Sequence, residues 1–348
     1  MASVILIEFN AWHGECLEPQ MEYLKASGHS VELFCTSKAL ASAGPTCLDG
    51  RVHHTECPGA KGFRNIWTAW RLIWRLRPDF VILNTAQGSE ALKLSLLPMP
   101  RRTKFVGTIH NLAKLTGSTG QKIISRRMDG YYVAAKYLLD TARARSGKPC
   151  QFYSPLDKTA GATQTDSDLK KDGETLLCVP GAIEYKRRNY AALLNLAASP
   201  ALKSVKFVLL CNRNKGDGPQ FMQEVETQGL TEHFVTFDHF VEADLFERYI
   251  RACDYLLPLV DDVMPGGESY KTSKISGTFA LAASYGKTML CNKFLDGISG
   301  FNYPCVFYAD AADLARVIRS GEKGAFSPLN FETERARYDS LLKVLSGE

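Results

Sequence analysis

Short apolar runs recur along the chain, each followed by a stretch of helical spacing, and the alternation is played twice. VILIEF (4–9) has the length and content of a strand buried on both faces. Leu17, Met21 and Leu24 then fall near helical spacing over 16–27, and Gly28 stands where a helix C′ residue belongs. VELFC (31–35), a helix over 63–77, FVILN (80–84) and a helix over 88–97 continue the order. KFVGTIH (104–110), YYVAA (131–135) and QFY (151–153) read as further strands. Such βαβα order predicts a parallel, doubly wound sheet.

SPLDKTAGATQTDSDLKKDGE (154–174) is polar, rich in small residues and without apolar period. It predicts a linker at 161–174, after a first domain over 1–160. The pattern restarts with TLLCVP (175–180), a helix over 188–198, VKFVLLC (205–211) and a helix over 218–228. HFVTF (233–237), a helix over 242–252, DYLLPL (254–259), a helix over 275–285 and KTMLC (287–291) follow. A second doubly wound domain over 175–330 is expected, then a helix over 331–346. The fold class is therefore α/β: two Rossmann-like domains facing a cleft.

At 348 residues, two domains is the expectation for length alone. A content of 45% hydrophobic and 23% charged residues excludes a disordered chain, a collagen repeat and a coiled coil. No run approaches the roughly 20 apolar residues of a membrane span. MASVILIEFNAWHGE lacks a basic n-region and reads as a first strand, not a signal peptide. A cytoplasmic protein is expected. The ten cysteines include no CxxC pair, and Cys35, Cys178, Cys211, Cys253 and Cys291 sit within or beside apolar, strand-like runs, which predicts buried free thiols. His53, His54 and Cys57 are the nearest approach to a zinc cluster, and no metal is expected. Residues 1–150 hold 20 Lys and Arg against 11 Asp and Glu, a charge of +9; the remainder carries −4. A basic half suits an anionic partner or simply a solvated surface.

In doubly wound sheets ligands bind outside the carboxyl ends of the strands, so the loops after strands carry the candidates. G-x-G-x-x-G and the P-loop pattern are both absent. After the first strand, Asn10-Ala11-Trp12-His13-Gly14-Glu15 offers His13 and Glu15 as proton-transfer groups. Gly14 there permits positive φ or close approach. Equally, Glu15 is an acid favoured by a helix dipole, with His13 at the surface. His110 ends the strand 104–110 and points to the ligand side, or is a hydrogen-bonded structural residue. Lys186, Arg187 and Arg188 gather where the helix at 188 begins; cations there oppose the macrodipole, so a diphosphate or a solvated turn must account for them. Pro265-Gly266-Gly267-Glu268 leads into Tyr270 and then Lys271, Thr272, Ser273, Lys274, Ile275, Ser276, Gly277 and Thr278. Hydroxyls, lysine and glycine at a helix start form an anion cradle, or Ser273 or Ser276 is an N-cap.

Nearly the whole chain resembles the GT-B glycosyltransferases, in particular the group-one family of nucleotide-sugar transferases. The resemblance is carried by VILIEFNAWHGE, GHSVELFC (28–35), RPDFVILN (77–84), KFVGTIHNL (104–112) and LLCVPGAIEYKRRNY (176–190). HFVTFDHFVEADLFERYIRACDYLLPL (233–259) and ALAASYGKTMLC (280–291) complete it. It implies an acceptor-binding first domain, a second domain that binds a nucleotide-sugar, and a last helix returning to the first domain. It places His110 on the donor sugar, Lys186, Arg187 and Arg188 on the diphosphate, and His239, Phe240 and Val241 on the nucleotide base. Two features depart from the family. Gly181-Ala182 replaces its Gly-Arg pair, and Ser273 and Leu281 stand where an E-x7-E motif would place acids. Glu268, in a different register, is the acid left for the donor sugar.

The expected reaction is sugar transfer from a nucleotide-sugar to a hydroxyl of a glycan or lipid-linked acceptor, with no cofactor and no nucleic-acid partner. The phosphate site would comprise Lys186, Arg187, Arg188, Lys271, Thr272, Ser276, Gly277 and Thr278. In an inverting course His13 or Glu15 takes the acceptor proton; in a retaining course the leaving phosphate can. The alternative is a non-catalytic nucleotide- or sugar-binding protein on this fold. GFRNIWTAWRLIWRLRP (62–78) places Ile66, Trp67, Trp70, Ile73 and Trp74 at helical spacing among Arg64, Arg71, Arg75 and Arg77. It reads as a peripheral contact with an anionic membrane at its cytoplasmic face, or as a helix burying its stripe on a sheet.

Overall fold

The computed structural model describes residues 1–10, 13–43, 52–59, 62–155, 167–326 and 329–348. Two compact units divide the chain: Met1–Asp157 with Thr272–Ile275 and Leu329–Glu348, and Lys158–Lys271 with Ser276–Pro328. Residues 161–166 of the segment expected as the linker lie outside the described residues.

The first unit is a seven-stranded parallel sheet in the order β3-β2-β1-β4-β5-β6-β7. Its strands are β1 (Ser3–Glu8), β2 (Ser30–Cys35), β3 (Val52–Glu56), β4 (Phe80–Leu83), β5 (Lys104–Thr108), β6 (Gly130–Val133) and β7 (Cys150–Phe152). The second unit is a six-stranded parallel sheet in the order β10-β9-β8-β11-β12-β13. Its strands are β8 (Thr175–Pro180), β9 (Val205–Asn212), β10 (Phe234–Phe237), β11 (Tyr255–Leu256), β12 (Met289–Asn292) and β13 (Cys305–Tyr308). Both sheets are doubly wound, as the alternation predicts. The inner strands are apolar throughout because helices cover both faces: β4 is buried at every position, and β1 from Val4 on.

Each order reverses once, between β1 and β4 in the first sheet and between β8 and β11 in the second. The crevice at such a reversal is where these sheets bind ligands. The loops after β1 and β4 flank one crevice, and those after β8 and β11 flank the other.

The helices that frame these loops are α1 (Leu17–Ala26), α2 (Ser37–Ser42), α3 (Phe63–Leu76), α4 (Gly88–Leu96), α5 (Thr119–Arg127) and α6 (Leu139–Ser146) in the first unit. The second has α7 (Tyr190–Ala197), α8 (Gly218–Thr227), α9 (Ala243–Ala252), the single turn α10 (Ser269–Thr272), α11 (Gly277–Tyr285) and α12 (Ala311–Ser320). The last helix, α13 (Phe331–Ser346), belongs to the first unit. Tyr338, Leu341 and Leu342 from it enter the core with Leu6, Phe80, Val106 and Tyr132. Tyr338 stacks on Tyr132, ring centroids 4.2 Å apart, and Tyr132 Oη donates to the Tyr338 carbonyl at 2.7 Å.

The nine described cysteines are free thiols, seven of them buried. No helix is long and apolar enough to cross a membrane, and the described residues hold no metal-binding cluster.

Candidate functional site

At the first reversal, Asn10 follows β1 and a short 3-10 turn, Gly14–Cys16, starts the way into α1. Among the described residues of this loop, His13 is left-handed, with φ 64° and ψ 23°, and Gly14 is not. Histidine tolerates that region better than most side chains, at a cost of order 1–3 kcal/mol. The conformation turns the imidazole onto His110, beyond β5: the rings stack with centroids 3.7 Å apart and planes within 5°. His13 Nδ1 lies 3.4 Å from Glu15 Oε1. Sequence-predicted His13, Glu15 and His110 therefore form one cluster.

His110 Nε2 is 2.7 Å from the Asn84 carbonyl oxygen. A carbonyl only accepts, so Nε2 carries the proton and Nδ1 presents a lone pair. Burial, then the charge of His13, pushes the His110 pKa down to about 3, so the ring is neutral at physiological pH. His110 is thus hydrogen-bonded at Nε2, and its Nδ1 has no hydrogen-bond partner among the described residues. For Glu15, partial desolvation raises the pKa, but the hydrogen bond and charge of His13 more than offset it, and the net direction is down. A carboxylate behind an imidazole orients it, the arrangement of a general base.

Beneath the pair lies a buried polar network absent from the sequence-based site. Glu8, at the end of β1, is 1% exposed, and Gln20 and Asn84 are fully buried. Asn84 Nδ2 donates to Glu8 Oε2 at 2.7 Å and to the His13 carbonyl at 2.9 Å. Gln20 Nε2 donates to Asn84 Oδ1 at 2.6 Å, and Tyr338 Oη donates to Gln20 Oε1 at 3.0 Å. The available signal was a polar residue ending each apolar run, VILIE and FVILN.

At the second reversal, the 181–189 turn and the 257–268 loop enclose a pocket of about 290 Å³ lined by Tyr185, Lys186, Arg188, Asn189, Val263, Met264 and Pro265. Asn189 caps α7 by accepting the Ala192 N–H, and its Nδ2 donates to Asp261 Oδ2 at 2.6 Å. Asp261 Oδ1 accepts the Met264 N–H at 3.1 Å, so this buried acid, also missed from sequence, ties the two loops together.

The three cations differ in what they can do. α7 starts at Tyr190, so all three precede the helix and none stands in its first turn, contrary to the sequence expectation. The Asn189 cap sets that start. Lys186 is exposed and has no hydrogen-bond or ion-pair partner among the described residues. Arg187 pairs with Glu184 at 3.5 Å. Arg188 donates to the Pro180 and Ala182 carbonyls at 2.5 and 2.9 Å, which commits its guanidinium to shaping the 180–182 loop.

The Lys271–Thr278 segment is not one continuous run into a helix. α10 ends at Thr272, and Thr272–Ile275 belongs to the first unit. There Lys274 bridges Asn111, the Leu112 N–H donates to the Ser273 carbonyl at 2.9 Å, and Tyr137 Oη donates to the Lys274 carbonyl at 2.6 Å. α11 begins at Gly277 under a Ser276 cap, whose Oγ accepts the Thr278 N–H at 3.4 Å. A Cβ on Gly277 would meet nothing within 4 Å, and the buried Thr278 Oγ1 has no partner among the described residues. Lys271 Nζ lies 3.6 Å over the Phe294 ring and 3.7 Å from the exposed Glu268. After β10, Asp238 holds Arg213 at 2.7 Å; beyond it His239 and Phe240 are exposed and Val241 is buried.

On α3 the apolar stripe divides. Ile66, Ala69 and Ile73 are core, whereas Trp67 and Trp74 are 43% and 38% exposed. Phe63, Trp67, Trp70 and Trp74 form a ladder of ring contacts 4.7–6.2 Å apart, and both Trp70 and Trp74 donate their indole N–H to the Pro98 carbonyl. Arg64, Arg71, Arg75 and Arg77 beside them are exposed.

Residues 13–146 match the family described as Glycosyl transferase 4-like domain. By sequence alone, no curated protein matches the chain. Solved structures similar over essentially the full length include sucrose-phosphate synthase from Thermosynechococcus elongatus, at 11% identity and TM-score 0.59, covering 100% of this chain and 98% of that one. Anabaena HepE in complex with UDP-glucose is 12% identical at TM-score 0.60, covering 100% and 95%. WaaG, a glycosyltransferase involved in lipopolysaccharide biosynthesis, is 12% identical at TM-score 0.57, covering 99% and 100%. These likenesses share one architecture, the GT-B fold.

Proposed function

We propose that this glycosyltransferase of the GT-B fold, with its glycosyl transferase 4-like domain over residues 13–146, moves a sugar from a nucleotide-sugar to a hydroxyl of a glycan or lipid-linked acceptor. The observation that carries the proposal is the stacked His13–His110 pair at the first strand-order reversal. His110, neutral and with Nδ1 unprotonated, can accept a hydrogen bond from a donor-sugar hydroxyl. His13, backed by Glu15, can take the acceptor's proton as the acceptor oxygen bonds to the anomeric carbon. The bond from that carbon to the diphosphate breaks, and its electron pair leaves with the phosphate. In a retaining course the same proton goes to the leaving diphosphate.

The second unit supplies the groups suited to that leaving group. Lys186 is a cation at the 290 Å³ pocket without a partner among the described residues, and the start of α11 leaves open space at Gly277, where a Cβ would meet nothing within 4 Å. Arg188 acts mainly by holding the loop, Arg187 is partly neutralised by Glu184, and Lys271 by Glu268. Phe240, 78% exposed, and His239 suit contact with a base.

HepE's crystal holds UDP-glucose, so UDP-glucose heads the donors to test, followed by other nucleoside diphosphate sugars. Thermal shift against this panel should show one donor and its nucleoside diphosphate stabilising the chain; 100 times Kd gives about 2.7 kcal/mol. Release of nucleoside diphosphate in the presence of an acceptor then separates transfer from binding alone. Binding without release under any acceptor would make the chain a nucleotide-sugar-binding protein.

The aromatic ladder on α3 supports a lipid-linked acceptor. Exposed indoles beside arginines suit the headgroup boundary of an anionic membrane, and the first 150 residues carry +9. The proposed location is peripheral, at the cytoplasmic face.

A further inference from the structure

We propose that Glu8 is the positioning residue of the His13–His110 pair, acting through Asn84. The inference rests on the glycosyl-transfer reading only for its effect on turnover. A carboxylate at the end of a buried strand is expensive unless paired, and among the described residues the partners of Glu8 include no Lys or Arg. Four donors take that place instead. Oε1 accepts the Asn10 backbone N–H at 2.7 Å and Asn10 Nδ2 at 3.3 Å. Oε2 accepts Asn84 Nδ2 at 2.7 Å and Thr85 Oγ1 at 2.6 Å. Burial still raises the Glu8 pKa, with the bonds from Thr85, Asn10 and Asn84 opposing it.

Those four bonds fix the two ends of the reactive loop. Asn10 starts the segment that carries His13. Asn84 touches both imidazoles' supports: its side chain donates to the His13 carbonyl, and its own carbonyl accepts His110 Nε2–H. Its backbone N–H is held by the Ile7 carbonyl at 2.9 Å, and its Oδ1 by Gln20. Asn84 thus has one orientation while Glu8 accepts from it. In that orientation the left-handed His13 backbone is braced where its ring meets His110. Remove the Glu8 acceptor and the Asn84 amide keeps only the Gln20 bond at Oδ1. His13 then loses its carbonyl partner and its ring is no longer held on His110, whose own bond to the Asn84 backbone carbonyl is untouched.

The test is NMR of the ring protons of the histidine-labelled chain, with His110→Gln assigning the resonances. The wild-type His13 and His110 rings, 3.7 Å apart, should show mutual ring-current shifts and a nuclear Overhauser contact. Glu8→Gln, which places an amide N–H2 against donors, should weaken that contact and shift the His13 resonance, while His110 keeps its proton on Nε2. It should also lower kcat for sugar transfer by about 100-fold with little change in donor KM, as for a misplaced reacting group. Thr85→Val removes one donor to the same oxygen with little change of shape and should shift both readouts in the same direction, by less. If Glu8→Gln does not fold, Thr85→Val decides alone. Folded variants that keep the wild-type His13–His110 ring contact would overturn the assignment. The ring contact needs no substrate, so an inactive wild-type chain would sink the glycosyl-transfer reading while leaving the role of Glu8 to be decided by NMR.

Discussion

His13 and His110 lie ring on ring, 3.7 Å apart, and the second imidazole gives its only ring proton to the Asn84 carbonyl. One ring is thereby committed to accepting at Nδ1, and the other faces a carboxylate. The pair also has a thermodynamic signature. The folded His110 pKa is depressed to about 3, below the ordinary imidazole value. Between the two, the unfolded chain binds the extra proton, so stability is lost as pH falls through this window and is insensitive to His110 above it. At pH 5 the loss is about 2 kcal/mol. Urea unfolding at pH 7 and pH 5 should show it, and His110→Gln should flatten that slope; an unchanged slope would place its cause in other groups.

Lys186→Ala should weaken nucleoside diphosphate binding while leaving nucleoside binding and Tm nearly unchanged, because the exposed ammonium has no hydrogen-bond or ion-pair partner among the described residues. Arg188→Ala should weaken diphosphate binding too, but with a lowered Tm, since two loop carbonyls lose a charged donor, about 1.5–3 kcal/mol per bond at most. Calorimetric titration paired with melting curves distinguishes the two. Equal loss of nucleoside and diphosphate affinity in Lys186→Ala would move the phosphate elsewhere.

Gly267→Ala should damage the second site without touching a ligand group. An added Cβ would sit 1.9 Å from the Asp261 carbonyl oxygen, which is backbone and cannot swing aside. The loop must shift, and with it the Asp261–Asn189 tie. Donor affinity should fall, while a probe of the first unit, such as the His110 resonance, stays in place. Wild-type donor affinity would show that the 257–268 loop is not part of the binding pocket.

Trp67→Ala and Trp74→Ala test the exposed ladder. Exposed substitutions of this kind usually change stability by about 0.5 kcal/mol or less, although Trp74 also loses its bond to Pro98. Co-sedimentation with anionic vesicles should drop for both, and should fall with added salt in the wild type. Absence of wild-type binding at low salt would leave the ladder without a membrane role.

The central strands are legible in sequence because burial on both faces makes them continuous apolar runs. β3, VHHTE, is an edge strand with a polar face and gives no such signal, and α5, TGQKIISRR, has too few apolar residues to show a period. α12 does carry Leu314, Val317 and Ile318 at helical spacing, so its omission is a missed pattern rather than a missing one. His13, Glu15 and His110 stand out as titratable groups after strands. Their stacking does not, because it depends on β1, β4 and β5 being neighbours and on a positive φ that glycine seemed better placed to supply. Glu8 and Asn84 are harder still: within VILIEF and FVILN they read as strand ends, and only the sheet order makes them partners. The three cations at 186–188 look equivalent in sequence; Glu184 and the 180–182 carbonyls separate them.

The last helix completes the first unit, and this sets an order of events during synthesis. Residues 1–157 leave the ribosome lacking Tyr338, so Tyr132 has no ring to stack on and Gln20 Oε1 has no tyrosine donor. The second unit has all its own strands once Tyr308 has emerged; the first must wait for Tyr338, Leu341 and Leu342. The unit begun first is therefore completed after the second has its strands, and a ribosome that stalls before α13 releases a protein whose Gln20–Asn84 network lacks its tyrosine donor.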